Sequence, residues 1–268
     1  MCWTDLRSAQ LTGKIIYLLI KIFKDEAHAD AFFNQGEMYC KTLGDFKRIE
    51  GDADRGDQYE GVTGMHQPDK FVSAVLTATD SQGNVQTIEL HKSDLAGPII
   101  MQETWLEKLN LFCTYAVSAE NWTESYETEE ERIQAIERIN SLLQTQCAIN
   151  DEISRLGEYA VVVHNVPAFI GKVRSTATEA NIECRSTLVK YYDPDTFHGE
   201  FTGMAAAFQK RNIYEHQNEY RFCFHIDGAT GPQKLHIGSI AKMAWKMPTK
   251  DLKSTLRLQF AGLKQDSD

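Results

Sequence analysis

Arg55-Gly56-Asp57-Gln58-Tyr59-Glu60-Gly61 sets a guanidinium, two carboxylates and a phenol between two glycines. Glycine lets backbone approach a ligand closely, and arginine offers a planar fork that grips phosphate or carboxylate. A second polar cluster runs from Phe208 to Phe222 and contains Lys210, Arg211, Tyr214, Gln217, Asn218, Glu219 and Arg221. Gln217 and Glu219 stand two apart at the mouth of a β-branched and aromatic run, so a strand here places both side chains on one face of a sheet. A carboxylate in that position holds developing positive charge or polarises a sugar hydroxyl, and a neighbouring amide orients the attacking group. Tyr220, Phe222 and Phe224 fall on the opposite face and read as core. The plainer alternatives are an exposed turn of solvated charges around Arg55, and an edge-strand Glu219 paired with Lys210 or Arg221. Asp57, Glu60 and Glu219 converging on a divalent cation is a further alternative, a metal-dependent nuclease, although Arg221 replaces the lysine of the usual E-x-K core. His28, His91 and His236 have no partner pattern and read as surface residues.

The elements that must carry these clusters follow from periodicity. Residues 14–23 form an apolar β-branched and aromatic run, the pattern of a doubly buried strand. A helix is predicted over 24–34, stopped by Gly36, and a second strand over 38–43. Residues 45–65, rich in Gly, Asp and Arg, read as one long loop, a length that usually signals function. Two alternating runs, 71–79 and 85–90, flank Asp80-Ser81-Gln82-Gly83-Asn84 as a hairpin. Residues 109–118 are another strand. A helix over 128–147 opens on the capping box of Thr128 and Glu131 and presents Ile133, Ile136, Ile139, Leu142, Leu143 and Cys147 on one face. Strands are predicted at 159–164, 183–192, 219–226 and 235–240. Hairpin-linked strands outnumber long helices, so the expected class is α+β, mostly antiparallel. No repeat or linker is evident, so one domain over 1–268 is expected, with the acidic helix inserted at about 120–156.

Charge and composition narrow the setting. The 268 residues carry a net charge of −10, which disfavours nucleic acid as a partner. That excess is local: nine acids between residues 120 and 152 face only Arg132 and Arg138, whereas the last sixty residues hold ten Lys/Arg against six Asp/Glu. A basic face on an acidic chain is compatible with this distribution. No apolar run approaches the ~18 residues of a membrane helix, and the N-terminus lacks the layout of a secretion signal. None of the six cysteines is spaced as a CxxC pair. A cytoplasmic, reduced protein without membrane attachment is expected. Phosphate-loop, dinucleotide, zinc-protease and serine-hydrolase motifs are all missing from the sequence.

Taken together, the opening strand–helix–glycine–strand unit, Arg55 about thirty residues beyond the first strand, and Gln217-Asn218-Glu219 on a late strand resemble the ADP-ribosyltransferases. The resemblance is to the DarT, tRNA 2′-phosphotransferase and PARP groups, and extends to a bacterial and phage-defence group with an R-G-D-x-x-E-G loop and a Q-x-E-[YF]-R strand. The match spans residues 14–61 and 205–240. One class of these enzymes carries a histidine on the first strand where this chain has Lys21, Ile22 and Phe23. Another carries Ser-Thr-Ser, of which Arg185-Ser186-Thr187 is a partial echo. The resemblance implies an ADP-ribosyltransferase-like fold and a transferase that consumes NAD. Glu219, Gln217 and Arg55 would be its catalytic residues, and Lys21, Phe23, Tyr39, Phe46, Arg55, Asp57, Tyr59 and Glu60 would line the NAD site. Arg55 would hold the pyrophosphate, and Tyr39 or Phe46 would stack on nicotinamide. The acceptor implied is nucleic acid or protein, in a toxin or antiviral defence role with an antitoxin partner. The remaining alternative class is a non-catalytic binding or inhibitor protein.

Overall fold

The computed structural model describes residues 14–48, 57–70, 73–120, 128–148 and 155–256. Strand β1 (Lys14–Phe23) is the predicted opening run, with Leu18, Leu19 and Ile20 fully covered. Helix α1 (Glu26–Asp30) widens into a π-type turn, Ala31–Gln35, and ends at Gly36 with φ of 65°. The glycine is obligatory there, because a Cβ would stand 2.3 Å from the Gly238 carbonyl oxygen. Strand β2 (Glu37–Thr42) hands over to helix α2 (Leu43–Lys47), which Thr42 and Asp45 close with reciprocal capping bonds. Strand β3 (Val62–His66) follows. Residues 45–65, expected to be one loop, thus contain the end of a helix and the start of a strand; the short capping box and the apolar Val62-Thr63-Gly64-Met65 run are the signals that the Gly and Asp content obscured.

The hairpin forms as expected from β4 (Ser73–Thr79) and β5 (Val85–His91), with Asp80 accepting from the Gln82 and Asn84 amides across the turn. Val75, Leu76, Val85 and Ile88 on it are exposed. Strands β6 (Ile99–Gln102) and β7 (Asn110–Glu120) come next. Helix α3 (Glu129–Cys147) opens on the predicted Thr128–Glu131 box. Its covered stripe is narrower than expected: Leu143 and Cys147 are buried, but Ile133 and Leu142 are exposed. Strand β8 (Tyr159–Val163) is followed by helix α4 (Val166–Glu179), unforeseen in the sequence, with Asn165 capping the Ala168 amide and Pro167 in its first turn. The predicted strand over 183–192 is two, β9 (Glu183–Leu188) and β10 (Lys190–Tyr192), broken at Val189. Then come β11 (Gly199–Glu200), β12 (Gln209–Arg211), β13 (Glu219–His225), β14 (Gln233–His236), β15 (Ala244–Pro248) and helix α5 (Leu252–Thr255).

The class is mixed α+β with mostly antiparallel sheets. Where one domain is expected, the chain divides into two compact units, one of residues 1–41, 110–189 and 216–268, the other of 42–109 and 190–215. The first is built on an eight-stranded sheet of order β14-β2-β7-β1-β8-β15, with β13 joining β7 and β9. Apolar clusters cover both of its faces. Phe32, Phe112, Phe169 and Phe222 pack with α4 on one, and Leu18, Ile20, Val117, Leu143 and Leu252 pack with α3 on the other. The helix expected as an insertion therefore seals one face of the sheet. The second unit holds the sheet β11-β3-β6, the hairpin, and β10 and β12, which pair in parallel. Among the described residues no helix is long and apolar enough to cross a membrane.

The five described cysteines are free. Burial pushes the Cys113 thiol up to about 12 and Cys184 to about 11, and raises Cys40 and Cys223 as well. A thiol of an unfolded chain ionises near 8.5, whereas these stay protonated in the folded one. The folded state then holds more protons than the unfolded state, so stability is constant below about pH 8.5 and falls as pH rises beyond it, by up to ~1.4 kcal/mol per pH unit per thiol. Urea midpoints should drop steeply between pH 8 and pH 10; a flat profile would contradict the buried thiols.

Candidate functional site

The two polar clusters of the sequence separate into two sets of buried charge, one in each unit. In the second unit, Asp57 opens a tight turn: its Oδ1 accepts from the Tyr59 amide at 2.9 Å, and its carbonyl accepts from the Glu60 amide at 2.9 Å. Gly61, with φ of 71°, ends that turn against the Leu43 side chain. Asp57 and Glu60 are each 1% exposed. They face the first two basic residues of the second cluster, carried on β12. Arg211 Nη2 lies 2.7 Å from Asp57 Oδ1, and Lys210 Nζ lies 3.4 Å from Glu60 Oε1. Lys210, one of the two alternative partners offered for Glu219, thus faces Glu60, while the other, Arg221, pairs with Glu219. The Arg211 guanidinium sits over the Tyr59 ring at 4.4 Å and nears Tyr214 at 5.6 Å, and Lys210 Nζ sits 4.7 Å from the Tyr214 centroid.

Burial, the largest single influence, opposes charge on Arg211, but the hydrogen bond to Asp57, the Asp57 charge and Tyr214 together outweigh it and raise the guanidinium above its usual range. Tyr192, the register partner of Arg211 across β10 and β12, is pushed up to about 12, by burial first and the Asp57 carboxylate second. Among the described residues, three buried polar atoms here have no hydrogen-bond partner: Asp57 Oδ2, Arg211 Nε and Tyr192 Oη. Sequence reading assigns Asp57, Tyr59 and Glu60 to one cluster and Lys210, Arg211 and Tyr214 to the other, with Glu219, whereas the structure brings the two sets together; Tyr192 carries no motif that marks it.

In the first unit Glu219 is the first residue of β13, and Oε1 accepts from Arg221 Nε at 2.6 Å with both side chains buried. The strand is interior, between β7 and β9, rather than an edge. Gln217 does not share its face. Asn218, at φ of 39°, breaks the alternation before the strand begins, and Gln217 stays in the turn behind it. Left-handed backbone of this kind is tolerated best by asparagine after glycine. The Asn218 carbonyl accepts from the Ala116 amide and the Glu219 carbonyl from the Val189 amide, both at 2.8 Å, which fixes the strand mouth. Tyr115 lies opposite Glu219 and Cys113 opposite Arg221. The Glu219 carboxylate adds to burial in raising the Cys113 thiol. Tyr220, Phe222 and Phe224 occupy the other face and are core, as expected.

The remaining expected NAD contacts are dispersed. Lys21 donates to the Cys113 carbonyl at 2.7 Å and lies over the Phe112 ring. Phe23 packs on Phe32 at 5.6 Å, a core contact. Tyr39 is half exposed on β2, and Phe46 is partly buried on α2. Arg55 lies outside the described residues. Among the described residues no three His, Cys, Asp or Glu side chains gather as a metal-holding group; Asp57, Glu60 and Glu219 each face a cation instead.

No family model, curated protein or solved structure matches this chain. Its chemistry must be read from its own residues. Two arrangements carry it: a buried carboxylate–guanidinium pair at a strand mouth in the first unit, and in the second the Asp57–Arg211 and Glu60–Lys210 pairs beside tyrosine rings.

Proposed function

We propose that the chain is an NAD-dependent ADP-ribosyltransferase in which Glu219 supplies the anion of the reaction. The observation that carries this reading is the position of Glu219, a carboxylate at the mouth of β13 with Oε1 fixed by the 2.6 Å bond from Arg221. Cleavage of the bond between ribose C1′ and nicotinamide sends the bonding pair to nicotinamide and leaves an oxocarbenium-like ribose. A preoriented anion stabilises that charge without reorganising as it forms. The acceptor then attacks C1′ and gives up its proton. Gln217, which the sequence resemblance gives the role of orienting the acceptor, lies in the turn two residues earlier and off the Glu219 face. The fold implied is that of the ADP-ribosyltransferases. The acceptor is nucleic acid or protein, and the setting that the sequence resemblance carries is a toxin or antiviral effector held by an antitoxin.

Full-length protein incubated with NAD labelled on the adenylate half should release nicotinamide and label an acceptor from total RNA, DNA or cell lysate. Neither release nor label with any of the three acceptors would remove the transferase reading. A second reading, a non-catalytic binding protein, is favoured by the burial of Asp57, Glu60 and Glu219 against cations, the arrangement that a purely architectural role uses. It expects NAD or another nucleotide to be bound and recovered intact.

A further inference from the structure

Gly64 lies on the central strand of the sheet β11-β3-β6, with Glu200 of β11 opposite it on one side and Met101 of β6 opposite it on the other. Opposed residues of an antiparallel pair share a face, and His66, two residues further along β3, shares it too. Three side chains thus close over a residue that has none. A Cβ on Gly64 would stand 3.2 Å from Met101 Sδ, 3.5 Å from Glu200 Cγ and 3.5 Å from His66 Nε2. The backbone does not call for glycine here, since Gly64 is an ordinary strand residue and not one of those with positive φ. What the glycine leaves is space, and glycine inside a strand often marks a close approach of this kind. The pairing of β3 with β6 also shifts register between Val62 and Gly64, an irregularity of the sort that re-aims side chains beside sites.

His66 Nε2 lies 3.7 Å from Glu200 Oε1, too far for a hydrogen bond. Two ligands each about 2.1 Å from one ion, at roughly 120° to each other, stand ~3.6 Å apart. His198 meets the His66 ring at 5.3 Å and 81°, and its own Nδ1 accepts from the Gln67 amide at 3.1 Å, so a ring held by the backbone packs against the His66 imidazole. Met101 is 47% exposed, and the His66 and Glu200 side chains are 27% and 62% exposed, so an ion reaches all three from solvent. Among the described residues His66 and Glu200 find no third His, Cys, Asp or Glu to complete a metal-holding group. The third donor is the thioether, and thioethers favour soft ions such as copper(I). We propose that Met101 Sδ, His66 Nε2 and Glu200 Oε1 form a binding site for copper(I) above Gly64. The carboxylate balances the single charge of the ion. None of these residues enters the transferase reading, and the site stands or falls apart from it.

Silver(I), a redox-inert stand-in for copper(I), titrated in chloride-free buffer into the full chain carrying methyl-labelled methionine tests the site. The Met101 methyl resonance, assigned by its loss in Met101→Leu, should shift on addition of silver. Because the signal follows one side chain, ions taken up by the cysteine thiols do not enter it. His66→Gln removes a donor and Gly64→Ala fills the space beneath the ion. Each should weaken the silver dependence of the Met101 signal by about tenfold or more, since even a supporting partner of a metal ligand is worth that much. A Met101 methyl that does not move would overturn the proposal. So would a shift that His66→Gln leaves unchanged, which is what a lone surface thioether gives, or zinc(II) binding as tightly as silver(I). No result depends on NAD turnover, so an inactive protein that binds silver in this way would remove the transferase reading alone.

Discussion

Arg221→Met should destabilise the protein by about 3–5 kcal/mol, the usual cost of removing one partner from a buried ion pair. Arg221 is 1% exposed and Glu219 6%, so the variant takes the guanidinium away from a carboxylate that water reaches poorly. The loss belongs to the carboxylate's charge more than to the missing bond. Glu219→Leu combined with Arg221→Met should therefore recover most of the stability, because a well-packed apolar pair of similar volume is often as good as the ion pair it replaces. Urea unfolding of the two variants measures both effects. A double variant no more stable than the single would show that the pair is held by something other than mutual neutralisation. The double variant also separates folding from chemistry. It keeps the sheet and loses the carboxylate, so under the proposed transferase reading nicotinamide release should fall by roughly 10²–10³, the typical cost of one preorganised electrostatic group. Full release from a stable double variant would remove Glu219 from the mechanism.

Lys210→Met is the counterpart in the second unit, with an expected cost again of about 3–5 kcal/mol. Methionine matches the length of the lysine stem but leaves Glu60, 1% exposed, without the ammonium 3.4 Å away. It also removes the cation from the Tyr214 ring. Thermal unfolding of wild type and variant reads the deficit directly. Lys210→Arg, which keeps a cation facing Glu60, should show a smaller one, and an equal deficit in both variants would assign the loss to packing.

Much of the frame was legible because it rests on local rules. The β-branched run of β1, the glycine after α1, the Asp80 hairpin turn and the Thr128–Glu131 box each declare themselves within a few residues, and each forms where expected. Helix α4 was missed although Asn165 and Pro167 are good start signals, because Val166-Pro167-Ala168-Phe169-Ile170-Gly171 reads as an interrupted apolar run before any helical period is established. The candidate sites were half legible for a different reason. Residue type marked Asp57, Glu60 and Glu219 as chemically able, but their partners are fixed by pairing across distant strands. Lys210 is 150 residues from Glu60 and nine from Glu219, and proximity along the chain pointed to the wrong carboxylate. The face shared by Gln217 and Glu219 failed on one backbone angle, that of Asn218, which no period-two argument contains.

The β4–β5 ribbon has a further consequence for how the protein behaves in concentrated solution. Among the described residues no third strand flanks this two-stranded ladder, so it presents backbone donors and acceptors along both margins. From Ser73 to His91 the only Asp, Glu, Lys or Arg residues are Asp80 and Glu89, so the ribbon itself carries little that repels another copy of itself. Charges elsewhere must do so: at −10 the molecules keep one another at a distance, and the acidic surplus that argues against a nucleic-acid partner also keeps the exposed valines and leucines of neighbouring molecules from meeting edge to edge.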